Sequence, residues 1–198
     1  MPNPRASSRR PHLIVLVKEP RAGRAKTRLG RDIGMTAAAW WMRHQIRRLL
    51  RDLRDPRWTI TLCVAPDRAT MSRTWPGDLA RYPQGGGDLG TRMIRALRDA
   101  PAGPVCLIGA DIPHLTPVHI ARAFRAIGPA DVVFGPATDG GYWLVGLRHG
   151  GQVPAGIFDN VRWSSQHTLA DTLANLRDHS VALTDQMSDV DVAADLPV

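Results

Sequence analysis

A short basic segment near the N-terminus carries the residues whose types and spacing most clearly suggest chemistry. The chain has 26 lysine and arginine residues, of which only Lys18 and Lys26 are lysines, and both lie in the segment KEPRAGRAKTRL. An apolar run, residues 12–17, leads directly into this segment. Phosphate groups are bound where an apolar strand ends in a glycine-containing loop, because cations and backbone N–H groups act on them together. The segment therefore predicts a phosphate-binding loop, although a solvated basic loop explains the same residues.

The composition of this loop narrows the kind of phosphate site. Because every other basic residue is an arginine, a retained lysine suggests a role for a compact and mobile ammonium, with chance placement as the alternative. The sequence matches neither GxxxxGKS/T nor GxGxxG, which disfavours a P-loop NTPase and a dinucleotide-binding dehydrogenase. The predicted phosphate contacts are Lys18, Gly23, Arg24, Lys26, Thr27 and Arg28.

A second glycine-rich segment, QGGGDLGTRM at residues 84–93, is a candidate for nucleotide binding. Glycines allow a ligand to approach the backbone closely, and an amide side chain suits the edge of a nucleobase. The predicted contacts are Gln84, Gly87, Asp88 and Arg92. A flexible turn in which Asp88 caps the following helix accounts for these residues equally well.

Three aspartates predict a site for a hard divalent cation. Asp111 follows an apolar run in VCLIGADIP, and Asp189 and Asp191 alternate in MSDVDVAADL. Carboxylates at i and i+2 of an extended segment point the same way, so both can reach a metal that Asp111 holds from the other side. Mg2+ or Mn2+ with such oxygen ligands is the expected cofactor. A cap for the helix near Thr116 and a polar C-terminal tail are the alternative interpretations.

The segment FGPATDGGYWLVG predicts the place of an acceptor molecule. Gly140 and Gly141 let the acceptor approach, Asp139 binds or activates it, and Tyr142 opens the next strand. We include Trp163 among the acceptor contacts. A DGG turn is also an ordinary hairpin device, which explains the same residues without an acceptor.

Short apolar runs alternate with helical patterns, which is typical of a mostly parallel sheet covered by helices. We predict strands at residues 12–17, 59–65, 105–109, 131–135, 142–147 and 181–184, with a weaker one at 79–82. Helices are predicted at residues 36–53, 88–98, 117–127 and 164–176, and Trp40 and Trp41 at the start of the first are expected in the core. Each candidate cluster follows a strand, where ligands of such sheets bind.

The composition bounds the protein class. A chain of 198 residues with 43% hydrophobic residues fits a single domain at residues 12–198, after a mobile tail at residues 1–11. The net charge of +8 is concentrated toward the N-terminus without a recognisable nucleic-acid-binding module, so no nucleic-acid partner is expected. No apolar run approaches the roughly 20 residues of a membrane helix, which favours a cytoplasmic protein without a membrane partner. Cys63 and Cys106 lie in apolar runs and are expected to be reduced core thiols.

The five segments, in this order, resemble the GT-A-fold nucleotide-dependent transferases. The resemblance is strongest to a bacterial family of uncharacterised glycosyltransferase-like proteins that share KxPxxGxxKTRL, QGxGDLGxRM, GxDxPxL, GPAxDGGYxLxG and a late DxD followed by DL. The chain is more distantly similar to 2-phospho-lactate guanylyltransferases and to molybdenum-cofactor nucleotidyltransferases. It lacks the GxGxR signature of sugar-nucleotide pyrophosphorylases, and a single Asp111 stands where glycosyltransferases have DxD.

The resemblance implies a three-layer α/β/α fold with a mostly parallel, twisted sheet of about seven strands. It also implies that the first loop and the Gln84 region hold a nucleotide, and that Asp111, Asp189 and Asp191 hold the metal. The candidate catalytic residues are Lys26, Asp111 and Asp139. The loop cations favour nucleotidyl transfer from an NTP to a small phosphorylated or anionic acceptor, whereas the family label favours glycosyl transfer from an NDP-sugar. A non-catalytic nucleotide-binding module is the third possibility.

Overall fold

The protein, described by a computed structural model over residues 10–196, contains one seven-stranded sheet within these residues. The strands are β1 His12–Lys18, β2 Thr59–Ala65, β3 Ala80–Pro83, β4 Val105–Ile108, β5 Val132–Pro136, β6 Tyr142–Leu147 and β7 Val181–Leu183. Their order across the sheet is β3-β2-β1-β4-β6-β5-β7. Strand β6 is antiparallel to β4 and β5, and the other neighbouring pairs are parallel. The predicted fold class is confirmed.

Five α-helices connect or flank the strands of this sheet in the described part of the chain. They are α1 Thr27–Ile33, α2 Met35–Asp52, α3 Leu89–Arg98, α4 Pro117–Ala126 and α5 Thr168–Ala174, and short 3-10 turns occur at Asp67–Met71 and Ala193–Asp195. Helix α5 is shorter than the predicted 164–176. The predicted tail at residues 1–11 lies outside the described residues except for its last two positions.

The sequence did not predict helix α1, which begins inside the basic loop. Leu29 and Gly30 are its buried residues, and Leu29 packs in a small cluster with Ala38 of α2 and Val190 near the C-terminus. A Cβ on Gly30 would lie 2.5 Å from the Met35 sulfur, so glycine permits the close approach of α2. A helix this short depends on tertiary packing rather than on its own periodicity, and its sequence pattern is correspondingly weak.

In helix α2, residues at helical spacing are buried as predicted, whereas the two neighbouring tryptophans differ in burial. Met42, Ile46 and Leu49 are buried as their spacing predicts. Trp41 packs partly buried against the same core, but Trp40 is 57% exposed and stacks on His44. The expectation that both tryptophans lie in the core is therefore wrong for Trp40, because neighbouring residues of a helix point in different directions.

Two hydrophobic clusters cover the two faces of the sheet and fix its position. One includes Leu13, Val15 and Ile108 with residues of α2 and α4, and the other includes Ile14 and Phe134 with residues of α3. The alternation follows from the period of two along each strand. Cys63 and Cys106 lie buried and unpaired in β2 and β4. Among the helices described at residues 10–196, none combines the length and apolar character that crossing a membrane requires.

Candidate functional site

A cavity of about 550 Å³ opens at the end of the sheet where β1 and β4 finish. Four polar residues of the first loop line it, namely Lys18, Lys26, Thr27 and Arg28. Four acidic residues from later parts of the chain line it as well, namely Asp111, Asp139, Asp189 and Asp191. Since strands β1 and β4 are parallel neighbours, their carboxyl ends bring the first loop and Asp111 to one edge.

The side chain of Lys26 stands among three of these carboxylates. Its Nζ lies 2.6 Å from Oδ2 of Asp111, 3.7 Å from Oδ1 of Asp191 and 4.0 Å from Oδ2 of Asp189. Only 11% of the Lys26 side chain is exposed. Arg28 donates to Oδ2 of Asp191 at 2.6 Å from a more exposed position. The first loop, Asp111 and the C-terminal acids therefore form one charged cluster.

Backbone contacts hold the C-terminal acids in place opposite the loop. Val190, between Asp189 and Asp191, is fully buried, and its N–H donates to the carbonyl oxygen of Asp111 at 3.3 Å. Oδ2 of Asp195 accepts hydrogen bonds of 2.9 Å from the N–H groups of Asp191 and Val192. Burying one apolar residue between two acids points both acids toward the cavity. The two carboxylates consequently share one side of the extended segment, as expected from the period of two.

Helix α1 provides a further anchor for the C-terminal segment that carries Asp189 and Asp191. Oδ2 of Asp32 accepts a hydrogen bond of 3.0 Å from the N–H of Ala193. Sequence reasoning missed Asp32 as a positioning residue. No local pattern reveals Asp32, because its partner is 161 residues away.

Burial and the neighbouring charges change the pKa of one of these acids, Asp189. The pKa of Asp189 is raised, first because burial penalises the charged carboxylate and then because Asp111 lies nearby, while the ammonium of Lys26 acts in the opposite direction. Asp139 and Asp191 add smaller effects that raise the same pKa. Closely spaced carboxylates that need a cation for balance are a common feature of functional sites.

The carboxylates of Asp111, Asp189 and Asp191 are chemically suited to a hard divalent cation. In this structure the cation that they hold is the ammonium of Lys26. All the acidic donors are carboxylate oxygens, which Mg2+ and Mn2+ prefer. Within residues 10–196, no three Asp, Glu, His or Cys side chains are arranged as a metal site. A metal here would require the carboxylates of Asp111, Asp189 and Asp191 to close around it in place of the ammonium.

The side of the cavity predicted to hold the acceptor is formed by the turn between β5 and β6. Oδ1 of Asp139 accepts a hydrogen bond of 2.9 Å from the N–H of Gly141. Gly140 has a φ of 86°, and a Cβ there would lie 2.3 Å from the carbonyl oxygen of Gln166, so only glycine fits. The segment therefore forms a tight hairpin turn, and Asp139 of this turn lines the cavity.

Aromatic rings continue this side of the cavity. Tyr142 and Trp163 line it, and their rings meet edge to face with centroids 6.5 Å apart. Burial raises the pKa of the Tyr142 hydroxyl, which keeps it protonated. The ring of Trp163 packs beside Gly90 of α3, where a Cβ would come within 2.8 Å of it. The predicted acceptor contacts Gly141, Tyr142 and Trp163 therefore surround one space, whereas Gly140 supports the turn without lining the cavity.

Several predicted nucleotide contacts do not line this cavity. Gln84 is buried, and its Nε2 donates to the carbonyl oxygens of Val17 and Cys63 at 3.1 and 2.9 Å. The predicted contact between this amide and a nucleobase therefore finds no support in the geometry. The other predicted contacts outside the lining are Gly23, Arg24, Gly87, Asp88 and Arg92.

Helix α3 instead contributes apolar side chains that the sequence analysis overlooked. Leu89 and Met93, four residues apart, line the cavity. Asp88 caps the helix, since its Oδ1 accepts a hydrogen bond of 2.8 Å from the N–H of Thr91. The i, i+4 spacing of the two apolar residues was the available signal.

Comparison with known proteins identifies the family to which the chain belongs. Residues 49–165 match the family model described as "Uncharacterized protein conserved in bacteria (DUF2064)". The chain belongs to this DUF2064 family. No curated protein sequence matches the chain.

Solved structures support the fold expected from the resemblance. A candidate nucleotide-diphospho-sugar transferase from Desulfovibrio desulfuricans G20 matches this DUF2064 protein with a TM-score of 0.84 and 29% identity, over 92% of this chain and 83% of that chain. The inositol-1-phosphate CTP transferase of T. maritima matches with a TM-score of 0.57 and 11% identity, over 96% and 92% of the two chains. Rv0371c of Mycobacterium tuberculosis H37Rv, in complex with manganese, matches with a TM-score of 0.54 and 16% identity over 94% of each chain. The last two show the fold alone.

Proposed function

We propose that the protein is a metal-dependent transferase that moves a glycosyl group from a nucleoside-diphosphate sugar to a hydroxyl group of an uncharged acceptor. The observation that carries this proposal is the distribution of charge around the cavity. Among the described residues that line it, the cations are Lys18, Lys26 and Arg28, and all three come from the first loop. The acceptor side presents Asp139 with aromatic and small residues.

An uncharged acceptor suits this charge distribution better than the phosphorylated or anionic acceptor expected from the sequence. Four carboxylates line the cavity, and an anionic acceptor beside Asp139 would be repelled by them without a basic side chain of its own. An uncharged acceptor with a hydroxyl group is not repelled in this way. If the acceptor contains a ring, that ring can pack on an aromatic side chain of the cavity. The similarity to a candidate nucleotide-diphospho-sugar transferase at 29% identity supports a nucleoside-diphosphate sugar as the donor.

Each side chain then has a definable task. Lys18 and Arg28 neutralise the diphosphate of the donor. Asp139, oriented by the N–H of Gly141, accepts the proton of the acceptor hydroxyl as it attacks the anomeric carbon. Bound at Asp111, Asp189 and Asp191, Mg2+ or Mn2+ would supply positive charge against the departing nucleoside diphosphate.

A panel of nucleoside-diphosphate sugars tests this proposal. The donors are first ranked by thermal shift with and without Mn2+, and the best is then assayed for slow hydrolysis and for release of nucleoside diphosphate. We expect metal-dependent release of nucleoside diphosphate with no pyrophosphate. Asp139→Asn should suppress transfer while leaving donor binding intact, and Asp178→Asn, at an exposed acid outside the cavity, serves as the control. Failure of every donor to bind would refute the proposal.

Nucleotidyl transfer is the second candidate, and the cluster of three loop cations favours it. A triphosphate needs more positive charge than a diphosphate, and Lys18, Lys26 and Arg28 are close enough to share one cavity. The distinguishing assay is exchange of radiolabelled pyrophosphate into an NTP in the presence of a small phosphorylated or anionic acceptor, which holds the nucleotidyl group while the pyrophosphate exchanges. Exchange without hydrolysis of any NDP-sugar would replace the first function by the second, and nucleotide binding without either reaction would indicate a non-catalytic binding module.

A further inference from the structure

Lys26 makes a contact that the proposed transfer does not require. Its ammonium is 2.6 Å from a carboxylate oxygen of Asp111 and within 4.0 Å of both C-terminal acids. In a cavity that binds phosphates, a loop lysine is expected to face the phosphates. Here the ammonium is instead held by the three carboxylates that together are best suited to a divalent cation.

The backbone at Lys26 strengthens this observation. Lys26 has φ 48° and ψ 51°, in the left-handed region that non-glycine residues rarely adopt. Its carbonyl oxygen accepts the first hydrogen bond of helix α1, at 2.8 Å from the N–H of Gly30. Such a conformation persists when the surroundings fix it, and it clusters at functional sites. The loop therefore delivers this lysine to the acids at a conformational cost.

A single ammonium only partly balances the acids that surround it. Three carboxylates, those of Asp111, Asp189 and Asp191, face two cations, the Lys26 ammonium and the Arg28 guanidinium, so one negative charge stays unbalanced. A divalent ion carries more charge and coordinates carboxylate oxygens directly, so it balances the same acids better. An ion joined to these three acids lies within the few ångströms that the ammonium occupies, and the two cations repel each other strongly at that separation.

We propose that Lys26 stands in for the divalent cation of the transferase: metal binding displaces its ammonium from Asp111, Asp189 and Asp191, and the displaced ammonium binds donor phosphate. The inference rests on the proposed function in that it uses the same metal site. It adds that Lys26 positions the acids, opposes metal binding on its own, and couples the metal to the phosphate. Coupling of this kind is reciprocal between the two ligands.

The affinity of the protein for Mn2+ alone tests the first half of this proposal. Lys26→Met removes the ammonium, while the unbranched methionine accepts the same backbone conformation at a similar cost. We expect the variant to bind Mn2+ roughly tenfold or more tightly than the natural chain, because the charge-assisted contact no longer has to be broken. Isothermal titration or the electron paramagnetic resonance signal of free Mn2+ measures this.

The matched control is Lys18→Met, which removes the only other lysine of the chain from the same cavity. Within residues 10–196 no ion pair joins Lys18 to these acids, so its replacement should change Mn2+ affinity by about twofold or less. Equal Mn2+ affinity of the natural chain and Lys26→Met would overturn the displacement while leaving the metal site intact. Absence of Mn2+ binding by all three proteins would overturn both the displacement and the metal-dependent function.

A second measurement uses the natural chain and does not depend on the folding of a variant. Since the chain has two lysines, lysine labelled with carbon-13 at Cε gives two side-chain signals, and Lys18→Arg identifies them by deleting one. Mg2+ is expected to shift the Lys26 signal and leave that of Lys18 nearly unchanged. Inorganic pyrophosphate added with Mg2+ should shift the Lys26 signal again. If Mg2+ leaves the chemical shift of the Lys26 signal unchanged, the displacement is contradicted. If pyrophosphate added with Mg2+ leaves it unchanged, the link to phosphate is contradicted.

Discussion

The segments at residues 18–29 and 84–93 look alike in sequence and have different roles in the structure. Both combine glycine with basic residues after a strand, and both were candidates for nucleotide binding. In the first, Lys18, Lys26 and Arg28 line the cavity. In the second, Arg92 donates to the carbonyl oxygen of Gly87 at 3.0 Å, and the amide nitrogen of Gln84 is occupied by two backbone carbonyls.

The difference lies in where each polar side chain finds its partner. The polar groups of the second segment are largely satisfied by backbone: Asp88 and Arg92 bond backbone groups three and five residues away, and Gln84 bonds the carbonyl oxygens of the neighbouring strands β1 and β2. In the first segment, Lys26 and Arg28 find partners 85 and 163 residues away, at Asp111 and Asp191. Long-range pairing leaves these charges at an open edge of the sheet, where a ligand can exchange with them. Glycine and basic residues alone therefore do not distinguish a binding loop from a closed turn.

The largest expected effect comes from Asp111→Asn. Loss of this central carboxylate should weaken Mn2+ binding by about 100-fold and remove metal-dependent nucleotide binding, because Asp111 makes the shortest of the three carboxylate contacts to the Lys26 ammonium. The thermal midpoint should change little, since asparagine keeps the shape. Asp88→Asn is the matched control in the second segment, because asparagine caps a helix as well as aspartate does. Full activity of Asp111→Asn would refute the metal assignment.

A smaller effect is expected when one cation of each segment is removed. Lys18→Ala should weaken nucleotide binding by several-fold or more, because a charge-assisted contact to phosphate contributes about 1.5–3 kcal/mol. Arg92→Ala should leave the affinity within about twofold, because Arg92 lies outside the cavity lining and donates to backbone. Fluorescence or calorimetric titration with the preferred nucleotide measures both. Equal losses would show that the second segment also binds the nucleotide.

Gln84→Met separates stability from binding. Gln84 is only 7% exposed, and its replacement leaves the carbonyl oxygens of Val17 and Cys63 without the amide donor. Unfolding in urea should show a loss of about 1–3 kcal/mol, as expected for buried groups that lose a hydrogen bond. Nucleotide affinity of the folded fraction should remain unchanged. A selective loss of affinity at full stability would restore the base-contact interpretation.

The sequence predicted the sheet and the proximity of Asp111 to Asp189 and Asp191. It did not predict the ion pairs that Lys26 and Arg28 make with these acids. The five central strands were predicted to within a few residues because their apolar runs are largely buried on both faces, as in β4 Val105–Ile108. The convergence of Asp111 with the late acids follows from strand ends and from the period of two. The contact of Lys26 with Asp111, the helix α1 and the commitment of Gln84 to backbone carbonyls depend on tertiary packing over long separations. No local pattern encodes these contacts.

The smallest expected effect concerns the helix cap of the second segment. The pKa of Asp88 is lowered by the hydrogen bond from Thr91, so the ionised carboxylate is favoured in the folded state. Its contribution to stability is complete above its unfolded pKa, about 3.9, and is lost as the pH falls through the lower folded value. Asp88→Ala should therefore be less stable than the natural chain at pH 7, by less than Gln84→Met. The difference should shrink below pH about 4, as measured by thermal unfolding across pH. A difference that persists at low pH would show that the cap acts through packing rather than through its charge.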